Sequence, residues 1–537
     1  MNIEKLQRLF ATLRYLKSIQ IRYRLYYLLR KKLRKITRFS YVLRKDSQSV
    51  RLVLAESIPS YPSLDVEAEK LHFRFLNLPV TFKKGQIDWN YAGNGKLWTY
   101  NLNYFEFLMQ EEMEAEIGEE LIYHYIRNLH QIKDGLEPFP ISLRGINWIK
   151  FFTKFDIKNR KIDDALYAQY YILADNLEYQ LLGNHLLENG FSLLFGAYYF
   201  KDEYLYRKAC DILYTELEEQ ILSDGAHFEL SPMYHQLMLY RLLDCLNLVM
   251  HNDAFERSKL EKYLRTKAEK MAGWLAMMTY ENGEVPHFND TADGIAPNSA
   301  ELFEYAENLG VSCPQKRSLS ESGYRRFSSD TYLCFVDVGN IGPDYIPGHA
   351  HSDTFNFELQ VKNRPFIVDT GISTYEDNEV RHFERSTKAH NTVQIEDFEQ
   401  SEIWSSFRVA QRAYILSLQE EERKITATHD GYRKLGLYHT RSFEFKKGGL
   451  RIIDRVAGNR QNRYRCYAYL HFHPSTEYVQ IKDSQIFTNL AEISFKGSKK
   501  IQIDDFIFAE GFNKTTKAKM AVVSFEKDLE TLIDILL

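Results

Sequence analysis

Residues 347–371 read Pro347-Gly348-His349-Ala350-His351-Ser352-Asp353-Thr354-Phe355-Asn356-Phe357-Glu358-Leu359-Gln360-Val361-Lys362-Asn363-Arg364-Pro365-Phe366-Ile367-Val368-Asp369-Thr370-Gly371. A polar connector leads on to Arg385-Ser386-Thr387-Lys388-Ala389-His390-Asn391-Thr392-Val393. Residues 354–361 alternate in polarity as a strand does, and the apolar run 365–369 makes the next strand. His349 and His351, two apart at the head of the first strand, fall on one face. A two-residue turn at Lys362-Asn363 pairs Asp369 with Asn356 and sets it on the face opposite His351. One more loop residue reverses the parity, so a longer loop or a bulge is expected here. Imidazole and carboxylate donors of this kind suit zinc: His351, Asp369 and His390 as ligands, with His349 left as a spare base. The alternative is three polar residues at strand ends with no ion.

Outward from this stretch the chain changes character. From residue 323 onward short alternating runs are split by turns such as Lys446-Lys447-Gly448-Gly449, which predicts an antiparallel β-sandwich over 319–537. Before it, apolar spacings of three and four predict helices at 103–117, 119–136, 144–155, 165–182, 188–200, 203–222, 232–250 and 258–278. Short breaks between them suggest helical hairpins in series, a solenoid or a closed α/α toroid, over 96–318. Residues 1–95 read as a basic helical arm and a connector with short extended pieces. The fold class is therefore α+β and multidomain, as the 537-residue length also requires.

Composition narrows the partners. Tyr, Phe and Trp make up 14% of the chain, which suits stacking on sugar faces or, equally, a Tyr-rich helical core. The net charge of −4 gives no reason to expect nucleic acid. Residues 1–45, however, hold fourteen Lys or Arg against the single acid Glu4, with Phe10, Leu13, Leu16, Tyr23, Tyr26, Tyr27 and Leu29 among them. This is either an arm packed on the main body, the preferred reading, or a basic amphipathic segment lying on an anionic membrane. No apolar run reaches the ~18 residues needed to span a bilayer, and no secretory signal is evident. Five scattered cysteines without CxxC spacing read as free thiols. The expected location is cytoplasmic, with membrane association as the alternative; oligomeric state is not legible.

Four further segments carry chemistry. Gly183-Asn184-His185 opens a helix and places an amide and an imidazole at its positive end, near Glu188, where an anion is welcome; simple capping is the alternative. Ser231-Pro232-Met233-Tyr234-His235 starts another helix, whose dipole lowers the cost of ionising a phenol in its first turn; its Tyr is either such a functional phenol or a satisfied core residue. The loop around His287 and Asn289 reads as a cleft lining. Arg144, Asn147 and Trp148 combine a cation, an amide and a ring, types that suit an acidic sugar.

Taken together, these segments resemble the heparinase II/III polysaccharide lyases, most specifically in the GHAHSD, VDTG and FERSTKAHNTV runs. The resemblance covers roughly residues 95–460. It implies an incomplete α/α toroid followed by a β-sandwich, and β-elimination at a 4-linked uronate. It further implies that Asn184 and His185 neutralise the uronate carboxylate, that Tyr234 and His349 serve as general acid and base, and that Glu188 lines the cleft. Arg144, Asn147, Trp148, His235, His287 and Asn289 would contact substrate, and His351, Asp369 and His390 would hold a structural zinc. A role in bacterial surface-polysaccharide metabolism is expected. The rival readings are a non-catalytic acidic-polysaccharide binder and a glycoside hydrolase using acids among Asp224, Glu229, Asp290 and Asp293.

Overall fold

The computed structural model describes residues 3–41, 48–313, 318–459 and 463–536. The ends of the basic segment, residues 1–2 and 42–47, and the segment 314–317 beside the expected domain boundary lie outside these described residues, as do the side chains of residues 3–6.

The first half is helical. In chain order it contains α1 (Ile3–Leu13), α2 (Ser18–Ile36), α3 (Lys96–Tyr104), α4 (Ala115–Asn128), α5 (Pro138–Phe155), α6 (Arg160–Asp175), α7 (Gly183–Phe200), α8 (Glu203–Gln220), α9 (Pro232–His251), α10 (Ser258–Met278) and α11 (Ser299–Asn308). Local chemistry sets several starts. Asp202 accepts from the amides of Tyr204 and Leu205 to open α8, and Ser231 caps α9 with Pro232 behind it. Asn298 and Glu301 form a capping box for α11. α5 and α7 are apolar nearly all round and run through the middle of the helical core; every residue of α7 except His185 is buried.

Two expectations are corrected here. The helix expected over 103–117 does not exist. α3 stops at Tyr104, Phe105 takes a left-handed backbone at φ 59°, and a tight turn spans Glu106–Met109. The segment read as a connector has the short extended pieces expected of it, but they pack into the body. Its strands Leu64–Val66, Lys70–Phe75 and Leu78–Lys83 form a small sheet, and Phe73, Phe75, Ile87 and Trp89 join the helical core.

The second half is antiparallel sheet. An eight-stranded sheet runs from Ile415–Glu421 to Gln480–Lys482, beside two four-stranded sheets. Tyr332, Phe357 and Phe366 of one smaller sheet share a core with Phe443, Ile452 and Ile533 of the large one, so the two bury a common face. Strands Phe357–Val361 and Arg364–Ile367 are joined through Lys362 and Asn363, both at positive φ, and a register shift between Leu359 and Gln360 supplies the bulge that parity demanded. Residues 349–356 are not strand but an irregular run leading into it.

The two halves share packing. Trp274 and Met278 of α10, with Ala226 and Phe288 from loops of the helical half, sit in one cluster with Tyr324, Leu333 and Phe335 from the strands. Buried polar bonds reinforce it: Tyr324 Oη donates to Leu230 O at 2.5 Å and Tyr280 Oη to Glu358 Oε2 at 2.8 Å. A Cβ on Gly225, at φ +99°, would lie 2.1 Å from Lys270 O, so only glycine fits the turn that delivers residues 227–231 to this junction.

Candidate active site

Asp290, in the loop between α10 and α11, is fully buried and makes four hydrogen bonds with three side chains, Arg381, His349 and His351. Arg381 donates to both of its oxygens, at 2.5 and 2.7 Å; His349 Nδ1 lies 2.8 Å from Oδ2 and His351 Nε2 2.8 Å from Oδ1. Arg381 comes from a short helix, α12 (Glu379–Glu384). Burial alone would raise the Asp290 pKa, but Arg381 and the two imidazoles hold it well below the usual carboxylate range. The chain thus fixes a permanent anion behind His349. A proton on Nδ1 is donated to Asp290, which leaves Nε2 as the acceptor face of the ring.

Tyr234, in the first turn of α9, stacks on that ring with centroids 3.9 Å apart and planes at 31°. Its hydroxyl is 3.2 Å from that of Tyr375. Burial, helped by the nearby Asp290 and Glu229 carboxylates and opposed by Tyr375 and Arg381, raises its pKa above the ordinary phenol value. The surroundings thus favour the neutral phenol.

Asn184 reaches the same place from the start of α7. Its Nδ2 donates to Glu229 Oε2 at 2.9 Å and its backbone amide to Oε1 at 3.3 Å, while Glu229 Oε2 sits 3.7 Å from His349 Nε2. The anion expected at this helix start is therefore already present, as the protein's own carboxylate. His185 is the one residue of α7 left accessible. Burial would lower its pKa, but Glu178, 3.2 Å from Nδ1, holds it above the ordinary value. Asn184, Tyr234 and His349 thus meet in one cluster, joined by Glu229, Asp290, Arg381 and Tyr375.

Several expected sugar contacts are corrected, all for burial. Arg144 is fully enclosed and donates to Gln169 Oε1 and to the carbonyls of Asn103 and Gly135. Asn147 donates to Tyr104 O, and Trp148 packs edge-on to Phe105 and Tyr125. These three knit helices together and have no free face for a ligand. His235 is enclosed between Trp274 and the Met271 carbonyl, and burial pushes its pKa down to about 3. Glu188 turns inward towards Arg241, and burial pushes its pKa up to about 7. Asn289 is structural too, accepting from the His351 amide at 2.9 Å and donating to Leu230 O. His287 keeps a partly open ring paired with Asp293, which together with Glu358 and Asp369 outweighs burial and raises its pKa to about 10.

The expected zinc ligands are adjacent but arranged differently. His390 Nδ1 is 2.7 Å from Asp369 Oδ2, which also accepts from Asn356, so Asp369 stands behind the ring rather than beside its open nitrogen. His351 is likewise backed by Asp290. Each ring then presents its other nitrogen, His351 Nδ1 and His390 Nε2, buried and without a partner, with centroids 5.3 Å apart. Asp353 Oδ2 is a further buried orphan; burial, with Asp369, pushes that carboxyl up to about 6 against the pull of His390. Among the described residues no three metal-type donors already gather on one point. Two carboxylate-backed imidazoles with orphaned nitrogens nonetheless fit a zinc ion in donor chemistry.

A helical half and an antiparallel β half thus meet at a cluster of Tyr234, His349 and Asn184. Residues 148–309 match the model of the heparinase II/III N-terminus and residues 314–536 that of the heparinase II/III-like C-terminal region. The chain belongs to the heparinase II/III family. It is 28% identical over 258 residues to a heparin-sulfate lyase of Pedobacter heparinus, covering 42% of this chain and 38% of that one. A heparin-sulfate lyase of Bacteroides stercoris is 26% identical over 245 residues, covering 40% and 36% respectively. The matched region thus spans well under half of each relative. Among solved structures, a heparinase III superposes with a TM-score of 0.63 at 17% identity, covering 85% of this chain and 80% of that one. The heparan sulfate lyase of P. heparinus gives 0.56 at 18%, covering 85% and 79%. At these identities the likeness establishes the fold.

Proposed function

We propose that this chain is a polysaccharide lyase that cleaves a 4-linked uronate by β-elimination, with the helices as an incomplete α/α toroid and the sheets as a β-sandwich. The observation that carries the reading is the stack of Tyr234 on His349, with Asn184 held beside them by Glu229. Elimination needs a neutralised carboxylate, a base for the C5 proton and an acid for the departing O4. The accessible His185 engages the substrate carboxylate; Asn184, which Glu229 holds beside the stack, joins it only by releasing the Glu229 carboxylate. His349, its Nδ1 anchored on Asp290, takes the C5 proton on Nε2. As the C4–O4 bond breaks and a C4–C5 double bond forms, the Tyr234 phenol gives its proton to O4. The hydrolase reading is weakened because its candidate acids are engaged: Asp224 accepts three bonds from Ser320 and Ser322, and Asp290 is locked to Arg381.

The relatives' names put heparin and heparan sulfate first among polymers to try, followed by other uronate-containing polysaccharides. Incubation is expected to raise ultraviolet absorbance as the new double bond conjugates with the carboxylate. New reducing ends without that absorbance would instead mark a hydrolase, and neither signal would mark a binder. The basic arm fits work beside a membrane, in bacterial surface-polysaccharide metabolism.

Zinc is proposed as a structural ion held by His351 Nδ1, His390 Nε2 and the Asp353 carboxylate, with Asp369 backing His390 instead of binding the ion. Bound there, it would supply a fixed positive charge tying residues 351–353 to residue 390. Elemental analysis of chelator-washed protein is expected to find about one equivalent; under about half an equivalent removes the ion from this account.

A further inference from the structure

Helix α2 docks by its polar side and shows its apolar side to solvent. Gln20, Tyr23, Tyr27, Arg30 and Arg34, spaced three and four apart, face the body. Gln20 donates to Leu181 O at 3.0 Å, Tyr27 to Leu177 O at 2.5 Å and Arg34 to Asp175 Oδ2 at 2.6 Å, while Tyr23 stacks on Tyr179 at 4.6 Å. Arg30 adds a bond to Asn176 Oδ1. On the other side Ile21, Leu25, Leu28, Leu29 and Ile36 form a second stripe, with exposures of 46, 56, 60, 68 and 80%. Single exposed leucines are ordinary, but a continuous stripe on a firmly anchored helix is not.

Charge says what covers it. α2 contains no acidic residue, and Arg22, Lys31, Lys32 and Lys35 are exposed around the apolar stripe. Two copies meeting by this face would press like charges together, which disfavours self-association. An apolar stripe flanked by cations matches a bilayer surface rich in anionic headgroups, with the leucines at the acyl boundary and the cations among the phosphates. No helix of the described residues is long and apolar enough to cross a membrane, so the contact lies in the surface plane.

We propose that α2 is a peripheral docking helix that seats the protein on an anionic phospholipid surface. This goes beyond the lyase reading and stands independently of it. The anchor is continuous with the rest of the molecule. α1 bonds to the β half through Arg8 to Glu402 and Trp404 to Thr12, while Lys17 pairs with Glu219 of α8, so the arm straps both halves.

The test is co-sedimentation of the full chain with vesicles of phosphatidylcholine alone or mixed with phosphatidylglycerol. Binding to the mixed vesicles is expected to be at least about tenfold stronger and to fall as salt rises. The double variant Leu25→Asp/Leu29→Asp and the triple variant Lys31→Glu/Lys32→Glu/Lys35→Glu should each lose it by a similar factor. All five positions are exposed, so far-ultraviolet dichroism and activity on soluble polymer should match the parent chain. Failure of the parent chain to sediment with anionic vesicles overturns the proposal, and so do variants that bind as well as the parent. A solution dimer that Leu25→Asp/Leu29→Asp converts to monomer would also overturn it, by giving the face to a second copy.

Discussion

Tyr234→Phe is expected to lower the rate of uronate elimination by about 10²–10⁴-fold, the usual contribution of a positioned proton donor. The substitution removes one oxygen and keeps the ring that stacks on His349. Structurally the loss is one hydrogen bond to Tyr375, worth about 1 kcal/mol, so the protein should stay folded. The defect should therefore fall on kcat with KM little changed, because the phenol acts where O4 departs rather than where the carboxylate binds. His349→Ala should lose turnover to a similar degree by removing the base. Steady-state rates followed by product absorbance, with thermal melts alongside, settle the matter. Rates like the parent's in either variant would refute the assignment of acid and base.

Burial around Tyr234 favours the neutral phenol, the form that a proton donor needs. Its pKa is raised, so the phenol keeps its proton through neutral pH. A phenolate base would need the opposite shift. The cause is geometric: the ring lies under the junction of the two halves, with the Asp290 and Glu229 carboxylates close by.

The histidines of the quoted stretch were legible because their relationship is local. Two residues apart, His349 and His351 end on one carboxylate even though their backbone is not a strand. The need for a bulge between Asp369 and the preceding strand was legible too, because strand parity follows from counting residues. Asp290 was not legible as the organising group. It lies 59 residues from His349 and 91 from Arg381, and nothing in the string couples them. Its loop could be singled out only for its polarity. Arg144, Asn147 and Trp148 fail in the opposite way. Their types suit a sugar, but α5 is buried on nearly all its faces, and three helical residues carry no mark of that. At the start of α7 the string shows Asn184 and His185 but not that Glu229, 45 residues on from Asn184, accepts from its amide. Helix 103–117 was misread because one left-handed residue, Phe105, interrupts an otherwise helical spacing.

Asp290→Asn should be the most damaging single change at the junction. Arg381 is fully buried, and its guanidinium takes both Asp290 oxygens. Removing the negative charge leaves that cation in a low-dielectric interior without its counter-charge, a loss of about 3–5 kcal/mol. His349 loses the anion that fixes its Nδ1 proton, so turnover should fall even in the folded fraction. Linkage sets the sign with pH. A carboxylate whose pKa is depressed on folding adds stability above its ordinary pKa and loses it as pH falls through the folded value. Urea titrations across the acid range should show that limb in the parent chain and a flatter one in Asp290→Asn. A second variant separates packing from chemistry. Asp290→Asn with Arg381→Met removes both charges together and should recover much of the stability while turnover stays low. If Asp290→Asn melts and turns over like the parent, the buried ion pair is not what holds His349 in place.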